Sequence, residues 1–412
     1  MGERMGGATQ SRQPVHTVFG GAHLFRSGVA ARFGALALES LDAFAGDAGE
    51  FAAAFGIDSP AMAERLYARV RAKLRSEPVE DYRIDFEDGY GVRADTEEDG
   101  HAVSAAREVA AGMAAGFLPW RIGIRVKSFA EGERRRSVRS LRAFLSALIE
   151  RAGAVPPNFV VNLPKATTIG QVADFSRLLD ECEREFKLPE WSIGLEVMVE
   201  TPQLVVGADG RSLLPLLAEA GGPRMGGAIF GAYDFTAALG ITAAHQSLRH
   251  SSCDFARNMM LVAFAGSMVQ LSDGATAILP VPVHTGELSA QQRTENRRSV
   301  HAAWRLHHDN VRHAMANGFY QGWDLHPAQL VSRYAATFGF FLDGVDAAGA
   351  RLKNFVAKSA QATRVGAAFD DAATGRGLVN YFVRAVNSGA LTADEAEASS
   401  GMSIAEMVAL KL

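Results

Sequence analysis

Residues 193–202 read IGLEVMVETP, a short apolar run that ends on a carboxylate, Glu200. The seven residues 193–199 are bulky and mostly apolar, which is the signature of a strand buried on both faces. Working outward, the same pattern recurs at 16–19 (HTVF), 82–86 (YRIDF), 121–126 (RIGIRV), 159–163 (FVVNL), 227–230 (GAIF), 275–279 (ATAIL) and 322–325 (GWDL). Between these runs lie amphipathic stretches such as 138–151 and 173–186, with apolar residues at three- and four-residue spacing. Strands alternating with helices pair in parallel through right-handed crossovers, and eight of them in this order predict an α/β fold, a (β/α)8 TIM barrel. The rival is a doubly wound sheet, but no glycine-rich phosphate turn follows any strand.

The polar residues keep step with the strands. Glu87, Arg125, Lys165, Glu200 and Asp234 stand at or just past successive strand ends, separated by 38, 40, 35 and 34 residues, and Asp324 and His326 follow near the last strand. Barrel enzymes carry their chemistry on the C-terminal ends of the strands, so these side chains are expected to converge on one mouth. Surface charges have no reason to keep such a spacing.

Composition narrows the classes. The 412 residues include 42 basic and 46 acidic side chains, a net charge of −4, so phosphate neutralisation is not a main task and nucleic acid is not the expected partner. Hydrophobic residues at 48% and charged residues at 21% fit a globular, cytoplasmic protein. Two cysteines, Cys182 and Cys253, cannot build a disulfide framework or a four-thiolate zinc site. The longest apolar stretch, 259–271, is too short and too interrupted to span a membrane, and the N-terminus lacks the apolar core of a secretory signal. Residues 1–13 read as a flexible tail, 14–344 as the barrel, and 345–412 as a C-terminal helical extension serving as lid or oligomer contact, with Thr392 and Ser403 as N-caps.

Three carboxylates share one strand end in Asp85-Phe86-Glu87-Asp88-Gly89-Tyr90, which requires a cation, a positive side chain or a raised pKa; the bland alternative is a helix N-terminal cluster. Glu200 and Asp234, on adjacent strands, are the donor set that Mg²⁺ (or Mn²⁺) prefers when water and a chelating substrate complete its shell; as capping residues they would need no metal. Arg125 suits a substrate carboxylate through its fork, unless it pairs with Glu87 or Asp88. Lys165 is either a site residue or a surface lysine. Arg134, Arg135 and Arg136 read as a solvated helix start, and His301, His307, His308 and His313 as surface or interface residues without zinc spacing.

The ordered set DFEDGYG, RVKS, NLPKA, VETP, FGAYDF and GFYQGWDLHPAQL, over roughly residues 80–335, resembles the citrate lyase β-subunit/malyl-coenzyme A lyase family of the phosphoenolpyruvate/pyruvate-binding barrel superfamily. The resemblance implies Glu200 and Asp234 as Mg²⁺ ligands, Arg125 as the group that meets a substrate carboxylate or carbonyl, and Glu87 and Asp88 as catalytic-site lining. Asp85, Lys165, Gly231 and Ala232 are expected, with Arg125, to contact substrate. In GAAFD (366–370) the resemblance implies Asp370 as general acid/base, delivered from a lid. The chain departs from the family at strand 1, which has His16-Thr17 and Gly20-Gly21 in place of an Arg-Ser pair and a Pro-Gly loop, and segment 40–80 is long.

The implied function is a Mg²⁺-dependent carbon–carbon lyase, or the reverse condensation, acting through an enolate on a hydroxy-acyl-coenzyme A or a 2-oxo/hydroxy acid. The family's trimers and hexamers imply a homo-oligomer. The same barrel also serves phosphoenolpyruvate phosphotransfer or C–P chemistry, or non-catalytic oxo-acid binding.

Overall fold

The computed structural model describes residues 12–360 and 372–410, so Asp370 and residues 1–11 of the expected tail lie outside the described residues. Eight parallel strands close into a barrel in chain order: β1 (His16–Gly21), β2 (Asp81–Asp85), β3 (Arg121–Arg125), β4 (Val160–Leu163), β5 (Gly194–Val199), β6 (Met225–Phe230), β7 (Gln270–Ala275) and β8 (Gln321–Asp324). The seam is sealed where β1 pairs with β8, His16 opposite Gly322. The expected (β/α)8 barrel is what forms.

Around it run α1 (Val29–Phe44), α2 (Ala48–Phe55), α3 (Pro60–Ser76), α4 (Asp95–Ala115), α5 (Arg134–Ala152), α6 (Ile169–Glu185), α7 (Pro202–Val205), α8 (Leu214–Gly221), α9 (Ala232–Ala238), α10 (Ser251–Phe264), α11 (Ala290–Ala316) and α12 (Gln329–Ala360). The long 40–80 segment is spent on α2 and α3, which pack against each other outside the first βα unit. Outward residues of the strands, among them Val18, Ile84, Ile124, Val161, Leu195 and Val197, are fully buried under the helices. No helix among the described residues is long and apolar enough to cross a membrane.

Strand β7 overturns the reading at 275–279, with which it shares only Ala275. Its sequence, QLSDGA, is polar because its neighbours supply partners: Gln270 accepts a hydrogen bond from Arg121 at 2.9 Å, and buried Asp273 takes both oxygens to Arg257 at 2.8 and 2.9 Å. A paired polar group can occupy a buried strand as an apolar one does. The apolar residues expected there, Ile278 and Leu279, stand exposed in the following loop.

Asp324 is a second correction. It points outward from β8, away from the mouth, into a fully buried cluster: Oδ2 meets His16 Nδ1 at 2.9 Å, Oδ1 meets His307 Nε2 at 3.0 Å, and Arg333 donates at 2.8 Å. His307, expected on the surface, is 1% exposed. At the N-terminus, Arg12 pairs with Glu77 and Gln13 donates to the Leu271 carbonyl, so these two residues belong with the barrel floor rather than a tail. The boundary at 344 falls inside α12, which runs unbroken from barrel to extension. Beyond it, α13 (Ala372–Asn387), α14 (Ala393–Ser400) and α15 (Ile404–Ala409) follow, and Thr392 and Ser403 cap the last two with complete capping boxes.

Candidate active site

Alternation along the strands turns every second side chain inward. In β2 and β3 these are Asp81, Arg83 and Asp85, and Arg121 and Arg125. The lower layer is a buried network in which Arg83 bridges Asp81 and Glu196 and Arg121 reaches Glu196 and Gln270. The upper layer opens on the mouth. There the structure brings together Asp85, Glu87, Asp88, Arg125, Lys165 and Glu200, with Asp234 beside Glu200.

Arg125 is 1% exposed. Its Nε and Nη2 donate to Asp85 at 2.7 and 2.6 Å, so the fork expected to clasp a substrate carboxylate is already filled by a carboxylate of the protein. What remains is Nη1, 3.2 Å from Glu87 and 3.6 Å from Met198 Sδ. The guanidinium lies over the rings of Phe19 and Trp323, at 4.9 and 5.4 Å. Neither aromatic was singled out in the sequence; both occupy inward positions that strand alternation alone would have marked. Asp85 is equally committed, since it also accepts from the backbone N–H groups of Glu87 and Gly89 at 2.9 and 2.7 Å. With two donors on each oxygen it shapes the loop and orients Arg125, in place of the expected substrate contact.

Lys165 sits at φ +52, a left-handed conformation that costs an L-residue roughly 1 kcal/mol or more and that clusters at functional sites. This turn gives the residue two jobs. Its Nζ bridges Glu87 and Asp88, the latter at 2.9 Å, and its backbone N–H donates to Glu200 Oε1 at 2.5 Å. Burial alone would lower the ammonium pKa, but the hydrogen bonds to Glu87 and Asp88 outweigh it and raise it. A lysine held protonated is a poor Schiff-base nucleophile. Burial pushes the Glu87 carboxyl up, against the pull of Arg125; burial would raise the more open Asp88 as well, but its hydrogen bonds with Glu87 and Lys165 outweigh this and draw it down.

Glu200 is 1% exposed, and its second oxygen, Oε2, is buried with no hydrogen-bond partner. Burial, with the charge of Asp234 adding to it, pushes this carboxyl up to about 8. Asp234 lies in the first turn of α9, three residues after the N-cap position, which is Gly231. The capping role is therefore not the one it plays. Gly231 and Ala232 are buried at the same strand end. A Cβ at Gly231 would stand 2.4 Å from Glu200 Cβ and 2.6 Å from Oε2, so only glycine leaves this carboxylate its place.

Among the described residues no three Asp, Glu, His or Cys side chains group closely enough to hold a metal by themselves. The oxygen-only donor set of Glu200 and Asp234 nevertheless fits a hard divalent cation, which takes one or two carboxylates and fills its shell with water and substrate. Five carboxylates face two cationic side chains at this mouth, so a further positive charge is electrostatically welcome.

The fold has solved relatives. A citrate lyase from Burkholderia xenovorans LB400 is 19% identical with a TM-score of 0.55, the alignment covering 82% of this chain and 93% of that one. A Haloferax volcanii malate synthase in a magnesium/glyoxylate complex is 14% identical with a TM-score of 0.49, covering 97% and 98%. The citrate lyase β subunit from M. tuberculosis complexed with oxaloacetate and magnesium is 15% identical with a TM-score of 0.43, covering 78% and 96%. The likeness to the Burkholderia enzyme shows a shared barrel fold. No curated protein matches the chain. The family described as a domain of unknown function, DUF6986, matches residues 1–411, and the chain belongs to that family.

Proposed function

We propose that the chain is a Mg²⁺-dependent carbon–carbon lyase, or runs the reverse condensation, on a 2-oxo/hydroxy acid or a hydroxy-acyl thioester. The observation that carries this reading is Glu200 Oε2, buried without a donor beside the carboxylate of Asp234. A carboxylate left half-satisfied in a protein interior is costly unless a ligand completes it. Glu200 and Asp234 would hold the ion, which when bound supplies Lewis-acid polarisation of a substrate carbonyl. Lys165 fixes Glu200 through Oε1 and leaves Oε2 available to the ion.

Cleavage beside a carbonyl leaves an enolate, and the chain's own groups suit its stabilisation. Nη1 of Arg125 presents positive charge at the mouth, and its direction is set by Asp85 and the two aromatic rings. The proton must travel to or from the enolate carbon. Glu87, 3.2 Å from Arg125 and with its carboxyl pushed up by burial, suits such a role, and Asp370 is the acid/base that the family resemblance implies.

The test is proton exchange in D₂O with Mg²⁺, following the methyl groups of pyruvate and acetyl-coenzyme A by NMR. Exchange into at least one of them, lost in Glu200→Ala, is the expected result. No exchange from protein shown by calorimetry to bind Mg²⁺ overturns the enolate mechanism.

A further inference from the structure

The loop that follows β7 is built unlike a solvated connection. Its first residues are pinned: the Thr276 hydroxyl accepts from Asn310 at 3.0 Å, the Thr276 carbonyl accepts from buried Gln329 at 2.8 Å, and Ala277 N–H donates to the Tyr233 hydroxyl at 3.0 Å. Its far end is pinned as firmly, because buried Asn296 binds both the N–H and the C=O of His284, at 2.8 and 2.9 Å. Between the pins runs ILPVPV (278–283), two of whose six residues are prolines, so the span has little freedom left to lose on binding.

This fixed span displays apolar side chains to water. Ile278 is 57% exposed and Val283 62%, with Leu279 and Val281 also open. Single exposed aliphatics need no account, but a contiguous, immobilised row marks a place where something apolar binds. Its position says what. The loop leaves the C-terminal end of β7 and is held at Ala277 by the hydroxyl of Tyr233, from the first turn of α9, so the row begins on the same face of the barrel as the mouth. Its other end, at Pro282 and His284, opens on a cavity of about 650 Å³ lined by Phe44 and Leu288 and by the polar Arg293, Asn296 and Arg297.

Resting on the reading of the mouth as an oxo-acid site, we propose that residues 278–283 form a platform for the aliphatic chain of the substrate, so that the preferred acids carry an extended apolar tail. The carboxylate and carbonyl would sit at the mouth, and the chain would run outward over Ile278 toward Val283. Full burial of a methylene is worth ~0.8 kcal/mol, about fourfold in affinity; a platform that covers one side of the chain should give about twofold per methylene.

The experiment is titration calorimetry with Mg²⁺ and a homologous series: pyruvate, 2-oxobutanoate, 2-oxohexanoate and 2-oxooctanoate. The wild-type protein should tighten about twofold with each added methylene. In the double variant Ile278→Ser/Val283→Ser, chosen because both side chains are exposed and their loss should not impair folding, that slope should flatten. A slope that stays steep in the variant, or one that is flat in the wild type, overturns the platform. A variant whose mass in light scattering differs from the wild type also overturns it, because the row would then be a contact between copies. Failure of every acid, pyruvate included, to bind wild-type protein refutes instead the oxo-acid reading on which the platform rests.

Discussion

Glu200 shows how far a single residue can be held from its own preference. Its carboxyl, pushed up to about 8 by burial and by Asp234, retains in the folded chain a proton that the unfolded chain releases above its ordinary value of 4.5. The folded state is therefore favoured by the neutral form. That contribution is complete below pH 4.5 and is lost as pH rises toward 8, at ~1.4 kcal/mol per pH unit within that window. Glu200→Gln keeps an acceptor for the Lys165 N–H and removes the charge. In EDTA the Gln variant should show a flatter Tm between pH 4.5 and 8 and melt above wild type at pH 8, yet gain nothing from Mg²⁺. A variant that melts below wild type at pH 8 would mean that the carboxylate is well accommodated without a ligand. Glu200 was legible in the sequence because it ends an apolar strand. The left-handed turn of Lys165 that aims it was not, since nothing in NLPKA requires a positive φ.

At the scale of elements, what could be read was what apolar runs encode. β5 and β3 stand where IGLEVMV and RIGIRV put them, give or take a residue. β7 was displaced because its burial is secured by ion pairs: the sequence QLSDGA discloses nothing of Arg257 or Arg121, which arrive from elsewhere in the chain. β8 misled in the opposite sense. Asp324 was assigned to the mouth, although strand alternation places it outward once its neighbour Trp323 is seen to face Arg125. There it fastens the closing seam, holding His16 of β1, His307 of α11 and Arg333 of α12 together. Burial would raise the Asp324 carboxyl, but Arg333 and the two histidines outweigh it and hold it well below the usual carboxylate range. Its stabilising contribution is accordingly present above pH 3.8 and is lost as pH falls through the depressed value. Asp324→Asn strips the charge and leaves Arg333 buried without its counterion, a change expected to cost about 3–5 kcal/mol. Denaturant unfolding at neutral pH measures it; a loss under ~1 kcal/mol would mean that the seam holds by backbone pairing alone.

For the whole molecule, the decisive element is α12, which serves as the barrel's last helix and as the spine of the extension. Buried Leu352 and Phe355 on its outer half lie in the same continuous core as Leu378, Phe382, Ala396 and Met407 from the three helices beyond. The extension is tied back by Tyr381 to the Phe341 carbonyl, by Ser399 to the Val345 carbonyl at 3.1 Å, and by Glu395, which takes Arg65 and Arg69 of α3. A core shared in this way cannot melt in two steps without first exposing the apolar face of a helix that the barrel needs for closure. The heat capacity of the full chain should therefore show one unfolding transition. Removing residues 391–412 uncovers aliphatic side chains on α12 and α13 and frees the two arginines of α3. The Tm of the barrel itself should then fall by several degrees, because the loss of a few buried side chains, each worth about 1.5–3 kcal/mol, is felt throughout a single cooperative unit. Glu395→Ala should cost much less, on the order of 1 kcal/mol, since its ion pairs are part-exposed and screened. A truncated chain that melts at the wild-type temperature, or a full chain with two resolved transitions, would instead make the extension a separable unit, docked through Arg384 and Gln13 at the floor of the barrel without sharing its stability.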